Sequence, residues 1–363
     1  MPPSTLFIYI IEKTAFAVFA LVGALASMVL LVDLIENLRF AAKFDGDFAF
    51  ALQLTLLRTP ALTQSMAPFV FLFGALWMFH QLNRRSELAV MRSAGLSVWR
   101  LIGPAAFLAA IGGFLLIVAV DPLASRLLSM SEKMRNDIRG QTSSFMRVFG
   151  DGVWLRQRDA GELLIINAAS LDAAKGALHD VTIWRLSRDS EFVERIDAPE
   201  AVLAGRTIEL KDARMKAAGD RFSQRTPVYA VPTRLTPKDL RESAPPPESM
   251  SIFDLPRFIL LAEAAGLSTV KYNIRFHDLC STPLKLAAMV LIAAAFSFGP
   301  ARAGGAARLV LAAVGCGFLL YILSELSTAL GESGVAPAPL AAWTPALAAS
   351  IVAISLLMRH EET

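Results

Sequence analysis

Cysteine, clustered histidine and phosphate-binding signatures are what this chain lacks. Cys280 and Cys316 are the only two cysteines, both in or beside apolar runs, where a buried free thiol is expected rather than a disulfide. The four histidines, His80, His179, His277 and His360, stand apart, with no HExxH spacing, so a metal site is not expected. There is no GxxxxGK[ST] loop. The glycine-rich stretch GPARAGGAARL at 299–309 has no lysine to reach a phosphate, so hydrolysis of ATP by that route is excluded for the chain itself. No Ser/His/Asp set stands out by local motif, and nothing here argues for an enzyme. Excess charge is missing too: the formal net charge is +3, with no Lys/Arg tract interleaved with aromatics, which speaks against nucleic acid as a partner.

What is present is apolar sequence in long runs. At 363 residues, 55% hydrophobic and a mean hydropathy of +0.50, the chain is too apolar for a soluble protein and reads as an integral membrane protein. Six runs have about the length needed to cross a bilayer: Thr14 to Val32, Ala61 to Phe79, Leu101 to Val120, Thr282 to Phe298, Leu309 to Leu330 and Leu340 to Met358. Ala24-Leu25-Ala26 has the look of a signal-peptidase site, yet the run continues to Val32, and an uncleaved span is expected. Basic residues sort the loops. Lys13, Arg84, Arg85, Arg92, Arg100, Arg302, Arg308 and Arg359 fall on one side against Arg39, Lys43 and Arg58 on the other, which puts both termini and the Arg84 loop in the cytoplasm.

Between the third and fourth runs the composition changes. Residues 121–267 are polar, charged and rich in short β-like runs: Val153 to Arg156, Leu163 to Asn167, Val181 to Leu186, Phe192 to Ile196, Thr207 to Lys211 and Val228 to Val231. Turn signals such as Asp151-Gly152, Ala204-Gly205 and Gly219-Asp220 space them as in an all-β sandwich or jelly roll. Apolar residues alternate imperfectly, as in Ile183 beside Trp184, so both faces are covered or the interior is an open apolar groove. Ala244-Pro245-Pro246-Pro247 reads as a stiff connector, and Ile252 to Ala265 as a short amphipathic helix. The expected architecture is an α-helical membrane protein of six transmembrane helices with an inserted all-β, jelly-roll-like outer domain. Its parts are 1–120 (three spans), 121–267 (the β-domain) and 268–363 (three spans).

One charged stretch organises the rest: Arg84 to Ser97, RRSELAVMRSAGLS, held between two apolar runs. As a helix it places Glu87, Val90, Met91 and Ala94 on one face and Arg85, Arg92 and Leu96 on the other, with Gly95 as its stop. A short helix parallel to the membrane, with one acid on its outward face, can dock into a groove of a soluble partner. The plainer reading is a solvated turn whose charges only set topology.

Ionisable residues in or beside the spans are costly and usually face a cavity or a partner. Lys285 and Glu325 fall in the outer halves of their spans, with His277 and Asp278 at the entrance to the fourth. Their functional reading gives Lys285, together with Arg39 and Lys43, to an anionic lipid headgroup; their plain reading is snorkelling to the interface. Pro60 and Pro68 mark kinks in the second span.

Three spans, an outer β-domain and three more spans, with RSELAVMRSAG between spans two and three, resemble the LptF/LptG (YjgP/YjgQ) family of lipopolysaccharide-export permeases. The opening IYIIEKTAFAVF, LVDLIENLR ending span one, SFGPAR after span four and LAAWTPALAAS in span six carry the likeness over nearly the whole chain. The resemblance implies half of an ABC transporter in the inner membrane of a Gram-negative bacterium, its β-domain in the periplasm. The implied partners are a paralogous LptF-like permease, a dimeric LptB-like ATPase that holds the ATP and Mg, LptC/LptA-like bridge proteins, and lipopolysaccharide. It implies no cofactor on this chain. Ser86 to Gly95 maps to the family's coupling helix, with Arg85 beside it and Glu87 as the acid. Spans one and five map to lateral gates, and the β-domain's interior, near Ile183 and Trp184, to an acyl-chain conduit. Some relatives carry a lysine where this chain has Leu30, and Arg39, Lys43 or Lys285 take its place in this reading. Two rivals stand beside it: a permease of another ABC lipid or peptide exporter, and a membrane-anchored sensor or scaffold.

Overall fold

The computed structural model describes residues 3–138, 145–149, 152–159, 162–172, 176–187, 191–204, 207–219, 222–233, 245–298 and 305–361. Contacts divide the chain into two compact units, Met1–Leu128 with Asn273–Thr363, and Ser129–Tyr272.

The first unit is helical. Long apolar runs with few breakers give α1 (Pro3–Ala42), α2 (Phe48–Ser65), α3 (Ala67–Arg84), the short α4 (Glu87–Ser93) and α5 (Val98–Leu115). A π turn at Leu116–Val120 leads into α6 (Asp121–Ile138). Among the described residues, five helices are long and apolar enough to cross a membrane, or six if the bent pair α2 and α3 counts as one span. Where hydropathy marks a single span at 61–79, the structure therefore holds two helices meeting at 63° around Met66. Pro68, at the start of α3, has no N–H to continue the ladder from α2, and the chain turns there. Asp47 caps α2 by accepting from the Phe50 N–H at 2.9 Å, so the helix begins well before the apolar run does.

The return to this unit is made by α8 (Val270–Ser297), α9 (Gly305–Glu332) and α10 (Ala338–Glu361), after α7 (Leu255–Ala264) in the second unit. The core lies between α3, α5, α8 and α10, with Phe79, Leu72, Leu101, Ile102, Val290 and Leu357 fully buried and Ile10 and Val18 of α1 packed against them. Small residues let these helices approach. A Cβ on Gly113 of α5 would lie 2.5 Å from the Pro283 Cα of α8, and one on Gly74 of α3 would lie 3.0 Å from Val18 Cγ2 of α1. Two helices remain largely outside this core: only 11% of the most apolar window of α1, and the same share for α9, is buried. Such faces require lipid or another protein against them. Cys280 and Cys316 are free and half-buried.

In the second unit seven strands pair in chain order, every neighbour antiparallel: β1 (Phe145–Phe149), β2 (Gly152–Asp159), β3 (Glu162–Asp172), β4 (Ala177–Leu186), β5 (Phe192–Ala204), β6 (Thr207–Ala217) and β7 (Gln224–Pro232). The inserted all-β domain is present, and its described strands form a meander without the Greek-key crossovers of a two-sheet jelly roll. The strands run longer than their apolar cores because alternate positions are polar, and β1, which hydropathy passes over, extends the sheet beyond β2. One row interrupts the ladder across five strands: Ala169, Asp180, Pro199, Asp212 and Pro227 stand opposite one another, in the gaps between paired residues. The prolines have no N–H to give, and both aspartates take positive φ, 50° and 55°. One face of the sheet buries Val153, Ile166, Val181, Ile183, Ile196, Ile208 and Leu210, to which Ala265 adds from the end of α7.

Candidate functional site

The stretch between α3 and α5 holds a helix shorter than its composition suggests. Arg84 ends α3, Arg85 caps it, and Ser86 takes the left-handed conformation at φ 60°, so α4 starts only at Glu87. The stop works as the sequence indicates. Gly95 at φ +81° donates to Arg92 O at 2.9 Å and Leu96 donates to Met91 O at 3.3 Å, the paired bonds of a glycine C-terminal motif. Leu88 is buried, Glu87 and Met91 are half-buried, and Ala89, Val90, Arg92, Ser93 and Ala94 are exposed, Val90 at 66%. The buried arc is thus turned about one residue from the expected one. Glu87 does not share the outward face with Val90 and Ala94: its Oε2 accepts a 2.7 Å hydrogen bond from Tyr9 Oη of α1. The Lys13 ammonium lies 5.5 Å from the centre of the Tyr9 ring. A cavity of about 370 Å³ opens here, lined by Tyr9, the charged Glu12, Lys13, Arg85 and Glu87, and the Phe16–Trp77 aromatic pair, among others.

A polar cluster ties α1 to α2. Asp33 and Arg58 form an ion pair at 3.0 Å, and Asn37 donates to Asp33 at 2.7 Å and to Thr55 at 3.0 Å. Asp33, Asn37 and Thr55 are all buried. A second cluster centres on Asp121, 1% exposed, which accepts from Gln64 at 3.1 Å and from Arg275 at 3.2 Å, joining α2, α6 and α8. Hydropathy places Arg58 in a loop and Asp121 at the edge of the outer domain; both are structural anchors within the helical unit. The sequence signal for Arg58 is a charge inside LTLLRTPAL, which falls within a helix once Asp47 is taken as its cap.

Residues proposed for lipid contact do not converge. Arg39 and Lys43 are exposed at the end of α1, and Glu325 is exposed on α9. Lys285 is paired with Asp278, two turns earlier on α8, so its charge is already matched. In the sheet, neighbours take opposite faces: Ile183 is fully buried in the apolar cluster, whereas Trp184 stacks on Trp154 at 5.4 Å on the other face, with Arg195 5.8 Å from its ring. Trp184 therefore does not line the interior that Ile183 faces. Among the described residues no group of three or more His, Cys, Asp or Glu is placed to hold a metal ion.

Residues 8–359 match the family described as lipopolysaccharide export system permease LptF/LptG. The chain belongs to that family. The lipopolysaccharide export system permease protein LptG of Haemophilus influenzae is 25% identical over 368 residues, covering 99% of each chain. The protein of the same name from Escherichia coli K12 is 24% identical over 355 residues, 96% of this chain and 97% of its own. These names agree with the IYIIEKTAFAVF and LAAWTPALAAS motifs, which look closer to LptG than to its paralogue. Membership makes the chain a multi-pass inner-membrane permease of lipopolysaccharide export, a transporter subunit rather than an enzyme. In that family light the largely exposed α1 and α9 and the seated α4 are the parts of greatest interest.

Proposed function

We propose that this chain is one of two permease halves of an ATP-driven lipopolysaccharide exporter. It pairs with an LptF-like paralogue over a dimeric ATPase that binds ATP and Mg, and it passes the lipid through its β-domain to periplasmic bridge proteins. Both termini and α4 lie in the cytoplasm in this reading, and the domain parts are 1–120, 121–267 and 268–363.

The observation that carries the proposal is the seating of α4. Leu88 and Met91 pack into the helical core while Ala89, Val90, Arg92 and Ala94 stand outward, a short surface rigidly backed by the spans it must move. Glu87 takes part from the edge of this surface, one carboxylate oxygen held by Tyr9. With no phosphate loop in the chain, work has to arrive through such a surface. Arg39, Lys43 and Glu325 remain candidates for contact with the lipid, and Ile183, facing the apolar side of the sheet, for contact with acyl chains.

The test is to purify the tagged chain from its native membrane in mild detergent and identify its companions by mass spectrometry. Recovery of a paralogous permease, an ATPase and lipopolysaccharide is expected. A different ATPase and cargo would assign the chain to another exporter, and no ATPase at all would favour a sensor or scaffold.

A further inference from the structure

We infer that Tyr9 is a positioning residue that delivers the movement of α4 directly to α1. The inference rests on the proposal that α4 is the segment an ATPase moves.

By sequence α4 is joined only to α3 and α5, through Arg85-Ser86 on one side and Leu96-Ser97 on the other. The fold adds a third connection, 78 residues away along the chain, in the 2.7 Å hydrogen bond from Tyr9 to Glu87. A hydroxyl donating to a carboxylate is short and directional, and Lys13 over the Tyr9 ring favours the ring orientation that aims it. Beside it, Leu88 and Ile10 belong to the same buried cluster, so the polar tie has an apolar seat.

Helix α1 is built to carry such a displacement. It is one α-helix of 40 residues, with its only proline at its first residue, Pro3. At 1.5 Å per residue it is a rod of about 60 Å. Most of its apolar length is exposed, while Ile10, Ala17 and Val18 on its inner face pack into the helical core. Its opposite end is fastened to α2 by Asp33 and Asn37, which meet Arg58 and Thr55. A push received at Tyr9 therefore has a route along α1 itself to its far end, beside the contacts that α1 makes with α3 at Gly74 and with α5 at Phe107. Glu87 has two duties in this scheme: one oxygen holds α1, and the other is left for a partner.

The experiment uses the full chain with its co-purified permease and ATPase in proteoliposomes loaded with lipopolysaccharide, comparing wild type with Tyr9→Phe, Glu87→Ala and the double variant. ATPase retention, ATP hydrolysis and lipid released per ATP are read for each. Tyr9→Phe is expected to keep the ATPase and its hydrolysis while lipid released per ATP falls about tenfold, the factor that accompanies loss of one hydrogen bond to a charged group. In the Glu87→Ala background the same change is expected to add no further loss, because the bond is already gone. Unchanged release per ATP in Tyr9→Phe, or an equal loss in both backgrounds, would overturn the role of Tyr9 and leave the docking of α4 standing. Loss of the ATPase in Tyr9→Phe would overturn it too, reducing Tyr9 to a residue that merely seats α4. Absence of any ATPase from the wild-type preparation would remove the reading on which the inference rests.

Discussion

Adding one methyl group at Gly113 tests how this membrane unit is held together. The new Cβ would stand 2.5 Å from Pro283 Cα, 2.9 Å from its nitrogen and 3.2 Å from its Cβ, against an ordinary carbon separation of about 3.5–4.0 Å. The opposing atoms are backbone and ring, not the free end of a side chain, so α5 and α8 have to part locally by about 1 Å. Overpacking of this kind costs about 1–3 kcal/mol, and the rigid partner argues for the upper half of that range. The gain from replacing glycine by alanine in a helix offsets about 0.5–1 kcal/mol. A net loss of about 2 kcal/mol corresponds to a fall in melting temperature of roughly 4–8 °C for a unit of this size. The control is Gly103→Ala in the same helix, whose Cβ meets nothing within 4 Å. Gly112→Ala should fall between the two, since the atom it meets at 2.7 Å is the tip of the Phe71 ring. Thermal unfolding of the detergent-solubilised variants, followed by loss of the monodisperse peak, gives the comparison. If Gly113→Ala and Gly103→Ala melted together, close helix approach at Pro283 would not be what stabilises this unit.

Three further outcomes are expected. Arg58→Ala takes the paired cation away from buried Asp33 and should destabilise by about 3 kcal/mol, whereas the joint change Asp33→Leu, Arg58→Met should cost far less in the same melting assay. In the sheet, the hydrogen bond from Arg225 holds the Asp212 carboxyl below its usual range. A lowered folded pKa stabilises above the unfolded value and is lost as pH falls through the folded one, so the melting difference between wild type and Asp212→Asn should shrink on acidification from pH 7 toward pH 3. Both partners are reached by solvent, so the difference should also shrink in high salt. A photo-crosslinking side chain at Ile183 should label lipopolysaccharide in the assembled exporter when ATP is supplied, and one at Trp184 should not; the reverse pattern would place the lipid on the other face of the sheet.

Much of the architecture was legible in the linear chain because bilayer crossing and β alternation are one-dimensional demands. Six apolar runs and an inserted polar segment of short β runs are enough to expect spans around a sheet domain. The ends of elements were less legible. Asp47 starts α2 thirteen residues before Pro60 through a local cap, and Ser86 shortens α4 by turning left-handed, neither of which shows in hydropathy. The residues of the site are the least legible, since which way a side chain faces depends on what packs behind it.

Length, apolar runs, the glycine stop at Gly95 and the absence of a phosphate loop are properties of the chain as written, because each follows from composition or from neighbours a few residues apart. The 63° bend, the pairing of Lys285 with Asp278, the opposite facing of Ile183 and Trp184, and the turning of Glu87 inward belong to the folded molecule. The reason is energetic. A carboxylate half-removed from water takes the best donor within reach, and the donor that Glu87 found, Tyr9, comes within reach only once α1 and α3 have packed.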